Sequence, residues 1–333
     1  MTDVWDIKKL LETSGYYWKT CTLHTGVRLD VFTLIGKHPK NADAICRDLN
    51  GDLRAVSTLL NALSAMGLLS KDGNSYANTE ESLRYLSKSS SFYIGYIILH
   101  HQQLVDSWNR MGDAVLTGKP TRQRVSHAGE AERENFLMGM FNLAMGMAPA
   151  LAETLDLSGC SRLLDFGGGP GTFAIHFCLA NPKLRATVFD LPTTRHFAEK
   201  TIARFGLSDR IDFREGSFLD ENAVTVGTYD AAWLSHVLHG EGPEQAEAVV
   251  AHAAAALKPG GRLFIHEFIL DDTLASPLQP SLFSLNMLVG TEDGRSYSDG
   301  QIREMMTRQG LTDIQRMDYT GPSGSGILWG IRL

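Results

Sequence analysis

The sequence predicts an α/β protein in two parts: a parallel sheet with helices on both faces, preceded by a helical domain that carries a small hairpin. Three observations predict it. From about residue 155 to 333, strand and helix candidates alternate, which is the grammar of a parallel sheet wrapped by helices. Inside that half, residues 162–172 read RLLDFGGGPGT, an apolar strand that ends in an acid and runs into a glycine turn. From about residue 8 to 104 the apolar spacing is i, i+3 and i+4 instead, which is helical.

The N-terminal part justifies itself first. Leu53, Val56, Leu59, Leu60, Leu63 and Met66 form one apolar stripe, and Gly67 follows where a helix C-terminus favours glycine. Residues 68–76 then read as a hairpin turning on Asp72-Gly73. Helices followed by a hairpin suggest a winged helix, a module that often binds DNA. A DNA-reading helix needs several basic or amide side chains on its outer face. Only Arg54 and Asn61 are offered here, so a packing or dimerisation role is preferred. Residues 132–157 follow as one long helical stretch with Met138, Met140, Met145 and Met147. These methionines suit a core and equally a soft wall for a flat aromatic ligand.

In the second part the strand candidates are 162–166, 186–190, 211–214, 229–236 and 262–270. Two more, 312–319 and 326–333, lie close enough after the last helix to pair as an antiparallel edge. A helix over 243–257 begins on Pro-Glu and stops before Lys258-Pro-Gly-Gly261. Residues 271–281, with Pro277 and Pro280, read as a surface loop over the site.

Composition sets the outer bounds. The 333 residues are 43% hydrophobic and 21% charged, enough for two domains that each bury a core. The net charge of −7 disfavours a general nucleic-acid surface. Cys21, Cys46, Cys160 and Cys178 are scattered with no C-x-x-C pair, as expected of a reducing compartment without a zinc motif. The N-terminus is polar and acidic, unlike a secretory signal. The longest apolar run, residues 92–99, is too short for a bilayer. A cytoplasmic protein without membrane or nucleic-acid partners is expected.

The glycine turn carries the chemistry. Glycine is needed where backbone touches a ligand or takes positive φ. Asp190, at the end of the next strand, is placed to accept hydrogen bonds from ribose hydroxyls. A dinucleotide fingerprint G-x-G-x-x-G fits Gly167 and Gly169 but meets Thr172 at its third position, with the glycine one earlier at Gly171. That spacing suits S-adenosylmethionine better than NAD, because the former has no pyrophosphate to lay on a helix N-terminus. Other constellations fare worse. His236 and His239 are expected on opposite sides of an extended strand, which argues against a metal pair. His266-Glu267 lacks the downstream P-C-x-x-C of a zinc deaminase, and no G-x-S-x-G elbow of a serine hydrolase exists.

Taken together, LDFGGGPG at 164–171, VFDLP at 188–192, VLH at 237–239, LKPGGRLFIHEFIL at 257–270 and SLNMLV at 284–289 resemble the class I S-adenosylmethionine-dependent methyltransferases. Within these the chain is similar to the plant-type and hydroxyindole (acetylserotonin-type) O-methyltransferases, over nearly its whole length. The resemblance implies a Rossmann-like class I methyltransferase sheet, parallel with an antiparallel edge hairpin, and an N-terminal winged-helix dimerisation domain. It implies a dimerisation domain over 1–104 and a catalytic domain over 105–333, with connecting helices over 105–157 lining the acceptor pocket. Cofactor contacts are implied at Asp165, Gly167, Gly169, Asp190, Leu191, Gly216, Ser217, Phe218 and Ser235. Acceptor contacts are implied at Met138, Asn142, His236, Asn286 and Met287. His239 is implied as general base and Glu267 as the acid that orients it. Both also lie at strand ends on the edge where open α/β sheets bind ligands.

The chain departs from that family in four places. The adenine-side segment has Ser217 where an acid is frequent. Gly240 stands where Asp commonly follows the histidine. Ser296 replaces a second carboxylate, and Ser235 a frequent Lys. The first reading is a homodimeric enzyme that methylates a hydroxyl on a small aromatic metabolite, releasing S-adenosylhomocysteine. A non-methylating reaction on the same cofactor (decarboxylation, hydroxylation or ring closure) and a non-catalytic regulator are the alternatives.

Overall fold

Side-chain caps and short apolar stripes build the N-terminal helices. In the computed structural model, which describes residues 4–124, 129–220, 224–321 and 324–333, the chain divides into two units. The first comprises Met1–Leu104 with Glu134–Asn142, the second Val105–Arg133 with Leu143–Leu333.

In the first unit, helices Ala42–Leu49, Leu53–Ala65 and Glu80–Tyr85 start on Asn41, Asp52 and Thr79. Each of these side chains accepts a backbone hydrogen from three residues on, at Ala44, Ala55 and Ser82. Such caps are worth roughly 0.5–2 kcal/mol each. Three short strands, β1 (Lys40–Asn41), β2 (Leu69–Asp72) and β3 (Ser75–Asn78), pair antiparallel in the order β1-β3-β2. Asp72 pairs with Ser75, so the hairpin turns on Gly73-Asn74, one residue later than expected, with Gly73 at φ +56. Phe32, Ile45, Leu60 and Leu63 are fully buried in the core. Leu53, expected in the same stripe, is 44% exposed because it opens its helix ahead of the buried face. Asn61 accepts hydrogens from the Tyr76 hydroxyl at 2.8 Å and Lys71 Nζ at 2.7 Å, so its carbonyl is spent on the hairpin rather than on an outer partner.

The second unit is built on a seven-stranded sheet. Its strands are β4 (Arg162–Phe166), β5 (Arg185–Asp190), β6 (Ile211–Glu215), β7 (Tyr229–Ser235), β8 (Leu257–Glu267), β9 (Leu311–Arg316) and β10 (Gly326–Arg332), in the order β6-β5-β4-β7-β8-β10-β9. The first five in that order run parallel, and β10 and β9 are antiparallel. The expected edge hairpin is present. Successive residues of β4 go to opposite faces: Leu163 packs with Phe177 and Trp233, Leu164 and Phe166 with Leu234 and Ile265. Because β4 has β5 on one side and β7 on the other, chain order reverses at β4 and a crevice opens at its C-terminal end.

The strand expected over 312–319 ends at Arg316, and three further boundaries shift. The strand expected over 262–270 begins at Leu257 and ends at Glu267, with Leu270 making only an isolated bridge to Ser298. The helical stretch expected over 132–157 is two helices, Glu130–Met145 and Ala148–Thr154, broken at Gly146 and Met147. The loop expected over 271–281 stops at Pro277, where a helix Leu278–Gly290 begins and buries Pro280 within its first turn. A proline at that depth in a helix lacks only an N–H that would have had no partner.

At the opposite, N-terminal edge of the sheet, Asp230 accepts hydrogens from Ser161 N and Oγ, Arg162 N and Lys258 Nζ, at 2.6–2.9 Å. It ties the starts of β4, β7 and β8. Burial alone would raise its pKa, but the Lys258 and Ser161 bonds outweigh that and hold it well below the carboxylate range. A depressed folded pKa gives stability that is present above the unfolded value and is lost as pH falls. Asp230→Asn is therefore expected to lower the thermal midpoint at pH 7, with the gap to the wild type narrowing below about pH 4. A gap constant from pH 7 to pH 2.5 would remove the charge from the explanation.

Candidate functional site

β4 carries Asp165 into the interior and then turns sharply. Gly167, Gly169 and Gly171 sit at φ +77, +54 and +77, a left-handed region that side chains resist. A Cβ on Gly167 would fall 2.4 Å from Val237, and one on Gly168 would fall 2.6 Å from the Asp165 carboxyl carbon. At Gly169 a Cβ would meet nothing within 4 Å, so the open space beside this turn is on the crevice side. Asp165 is 1% exposed; one carboxyl oxygen accepts from Ala174 N at 3.2 Å, and Oδ1 has no partner among the described residues. Burial, reinforced by the neighbouring Asp190 charge, raises its pKa to about 7.

Asp190 ends β5 against the rim of the same turn. Its Oδ2 accepts from Gly169 N at 2.8 Å, and its Oδ1 from Leu191 N at 2.7 Å and Thr194 Oγ1 at 3.0 Å. Each carboxylate oxygen accepts two hydrogens, so Oδ2 keeps one position open. Beyond β6, Gly216 N donates to the Asp190 carbonyl, and a Cβ there would strike the Phe189 ring at 2.6 Å. Ser217 Oγ accepts from Leu219 N at 3.2 Å, while the Phe218 ring meets Phe166 edge-on at 6.2 Å. Ser235 turns its hydroxyl onto His266 Nδ1 at 3.0 Å. His266 is fully buried, its other nitrogen meets Ser325 Oγ at 3.0 Å, and burial holds its pKa well below the ordinary histidine value.

β7 and β8 end side by side and deliver the second cluster. Glu267 is 2% exposed at the end of β8. It accepts from His239 Nδ1 at 2.9 Å, from His239 N at 3.3 Å and from Phe268 N at 3.1 Å. Burial pushes its pKa up, but His239 first and His236 second overcome that and leave it below the carboxylate range. With Nδ1 donating to a carboxylate, His239 Nε2 is the acceptor nitrogen. The expectation that His236 and His239 face apart is overturned. β7 stops at Ser235, His236 takes φ +56, and Leu238–Gly240 wind into a 3₁₀ turn, so both rings swing towards Glu267. One ligand atom from each of the three residues lies within 4.8 Å of the others. His236 Nδ1 is 3.7 Å from Glu267 Oε2, too long for a hydrogen bond.

Aromatic side chains frame the two histidines. Phe268 lies 4.5 Å from His236, Phe283 lies 4.8 Å from His239, and the two phenylalanine rings are 4.3 Å apart. Neither is prominent in the sequence: Phe268 follows Glu267 directly, and Phe283 precedes Asn286 by one helical turn. Asn286 accepts from Trp108 Nε1 and Arg122 Nη2, both at 3.2 Å, through its Oδ1. Met287, next to it, is 7% exposed. Ser296 is 3% exposed and donates to the Pro280 carbonyl, so no acid stands there. Met138 and Asn142 belong to the first unit and are half-buried; the Asn142 Oδ1 is buried without a partner among the described residues.

The turn fits the S-adenosylmethionine expected from its glycines. Gly169 opens onto free space, Asp165 keeps an unpartnered buried oxygen beside it, and Asp190 keeps an open acceptor position for a hydroxyl.

Comparison with known proteins finds matches over most of the chain. A family model described as an O-methyltransferase domain matches residues 108–312, and one described as an O-methyltransferase dimerisation domain matches residues 11–88. The tetracenomycin polyketide synthesis 8-O-methyl transferase of Streptomyces glaucescens is 31% identical, over 96% of this chain and 95% of its own. The 3-hydroxy-5-methyl-1-naphthoate 3-O-methyltransferase of Streptomyces sahachiroi is 30% identical, over 95% and 92%. Among solved structures, an O-methyltransferase family protein from Burkholderia thailandensis aligns with a TM-score of 0.90 at 29% identity, covering 99% of each chain. Human N-acetylserotonin methyltransferase in complex with SAM aligns at 0.86 and 23% identity, over 100% of this chain and 99% of that one.

The Asp165 environment has a consequence for stability. Its folded pKa is about 7 against an ordinary 3.8, so between these values the folded state holds a proton that the unfolded chain has lost. Stability from this group therefore falls as pH rises through that window. Asp165→Asn removes the titration, and the wild type should lose thermal stability relative to it from pH 5 to pH 8. A difference that does not vary with pH would show that Asp165 is ionised throughout.

Proposed function

Because the chain belongs to the O-methyltransferase family, we propose that His239 is the base that deprotonates the acceptor hydroxyl, that Glu267 orients it, and that the acceptor is a small aromatic compound. The protein is an S-adenosylmethionine-dependent O-methyltransferase. The observation that carries the assignment of the base is the 2.9 Å bond from His239 Nδ1 to Glu267, which leaves Nε2 as the acceptor beside the Phe283 ring.

When bound, S-adenosylmethionine supplies an electrophilic methyl on a sulfonium. We assign Gly167, Gly169 and Asp165 to its methionine end, Asp190 and Leu191 to the ribose, and Gly216, Ser217, Phe218 and Ser235 to the remaining contacts. On the acceptor side we assign Met138, Asn142, His236, Asn286 and Met287, with Phe268 and Phe283 added as flat walls. The protein's part is alignment, which contributes on the order of 7–11 kcal/mol in favourable cases. A phenol with pKa near 10 is mostly protonated at neutral pH. His239 Nε2 accepts its proton, and the resulting imidazolium is stabilised by the buried Glu267 carboxylate. The S. sahachiroi and S. glaucescens relatives are named for a hydroxynaphthoate and a polyketide, which supports an aromatic hydroxyl as the acceptor here.

We also assign residues 1–104 to dimerisation and residues 105–333 to catalysis, in a cytoplasmic homodimer. The dimerisation match over 11–88 and the exposed side chains of Trp5, Ile7, Leu11 and Trp18, each more than half exposed, support the dimer. The first helix, Ile7–Gly15, buries nothing within its own chain. Four free cysteines suit a reducing compartment.

Two measurements check these assignments. His239→Ala should lower turnover by roughly 10²–10⁴-fold with cofactor affinity little changed, and its deficit should grow along a series of acceptors of rising pKa. Glu267→Gln should cost less. A deficit that stays flat along the series would assign His239 to positioning instead. For assembly, light scattering should give twice the 36.6 kDa chain mass, falling to one chain when Leu11 and Trp18 are both replaced by Glu. A wild-type monomer at micromolar concentration would overturn the dimer.

A further inference from the structure

We propose that the methyl acceptor is an anion: a hydroxylated aromatic carboxylate whose carboxylate is received by Arg122 together with the amide nitrogen of Asn286. The proposal rests on the reading of His239 as the group that meets the acceptor hydroxyl.

Arg122 is held in place by its backbone. Thr121 N and Arg122 N both donate to the Val289 carbonyl, at 3.0 and 3.2 Å. Its guanidinium is half-buried and donates from Nη1 to Ser107 Oγ at 3.0 Å, and from Nη2 to the Asn286 carbonyl at 3.3 Å and Oδ1 at 3.2 Å. No carboxylate lies within 4.0 Å of it among the described residues. Arg124, two residues on, is different: it pairs with Glu241 at 2.8 Å. A guanidinium has five donors, and here Nε–H and the second Nη1–H have no acceptor among the described residues. Burial lowers the Arg122 pKa, as expected of a cation without a counter-charge. The nearby end of the helix Leu278–Gly290 offsets only part of that charge, since a helix terminus carries about half an elementary charge.

Asn286 adds a second set of donors. Its two partners, an indole N–H and a guanidinium N–H, can only donate, so the oxygen of the amide must face them. Nδ2 then points the other way, with two hydrogens and no acceptor among the described residues.

Both groups belong to the same neighbourhood as His239. Asn286 follows Phe283 by three residues on one helix, so the two share a face, and Phe283 packs on the His239 ring at 4.8 Å. Arg124 donates to the Gly240 carbonyl at 2.7 Å, immediately beside His239, so the segment that carries Arg122 is tied to that turn two residues further on. One end of the site thus offers an imidazole acceptor for a hydroxyl proton, and the other offers only donors and one unbalanced positive charge. A carboxylate satisfies that end better than a neutral carbonyl, because it supplies the missing negative charge and two acceptor oxygens for the separate free hydrogens of Arg122 and Asn286.

The test compares hydroxybenzoates and hydroxynaphthoates with their methyl esters and with the parent phenol and naphthols, using the full-length protein. For the best acid, kcat/KM should exceed that of its ester by about tenfold or more, mainly through KM. In Arg122→Gln that ratio should collapse towards one, and Arg122→Lys should keep part of it. Equal use of acid and ester by the wild type, or an undiminished preference in Arg122→Gln, would overturn the proposal. If Arg122→Gln does not fold, Ser107→Ala, which frees one guanidinium contact without removing the charge, should retain the preference while Arg122→Lys reduces it. Calorimetry on protein loaded with S-adenosylhomocysteine separates this proposal from the assigned reaction. Acid binding without turnover would count against the reaction only, whereas ester and acid binding alike would count against Arg122.

Discussion

The acceptor side of this protein is organised by one buried carboxylate. Glu267 leaves β8 at 2% exposure, where an unpaired charge is strongly disfavoured. It stays ionised because it collects three hydrogen bonds, from His239 Nδ1, His239 N and Phe268 N. Those bonds act in both directions. They stabilise the charge, and they hold the 3₁₀ turn and the tautomer of His239.

Asp165 sits on the same edge of the same sheet with the opposite outcome. It accepts one backbone hydrogen bond at 3.2 Å and has an Asp190 carboxylate nearby, so its pKa rises to about 7 where that of Glu267 falls. Burial is common to both acids; the number of donors and the sign of the nearest charge decide between them. Asp165 is thus short of positive charge and hydrogen-bond donors, which the ammonium of an aminocarboxylate would supply. The acceptor edge is already balanced around Glu267 and lacks an anion only at Arg122.

Features set by neighbouring residues in sequence could be read from the sequence, and those set by distant contacts could not. The glycine turn was legible because its conformation excludes other residues, and the edge hairpin because its strands follow one another closely. The helix break at Gly146 was hidden by continuous apolar periodicity on both sides. The shared orientation of His236 and His239 is illegible because period-2 alternation carries on to His239, past the end of β7 at Ser235, where contacts with Glu267, 28 residues after His239, hold the chain in a turn. Arg122 and Trp108 reach Asn286 across more than 160 positions, and no local pattern in either segment signals that contact.

The chain's departures from its family acquire a common meaning at this point. Gly240 and Ser296 remove two acids that the resemblance places near the histidine, and Gly294, beside Ser296, approaches so near that a Cβ there would be 2.6 Å from the His239 carbonyl. An acid at either position would add negative charge near the histidine, where the proposed acceptor brings its own. Among the described residues Glu267 is the one acid in hydrogen-bond contact with the His239 side chain, and it orients the ring without the two acids that the resemblance places nearby. The loss of the two acids and the unpaired guanidinium are then two parts of one electrostatic arrangement, suited to an acceptor that brings its own negative charge.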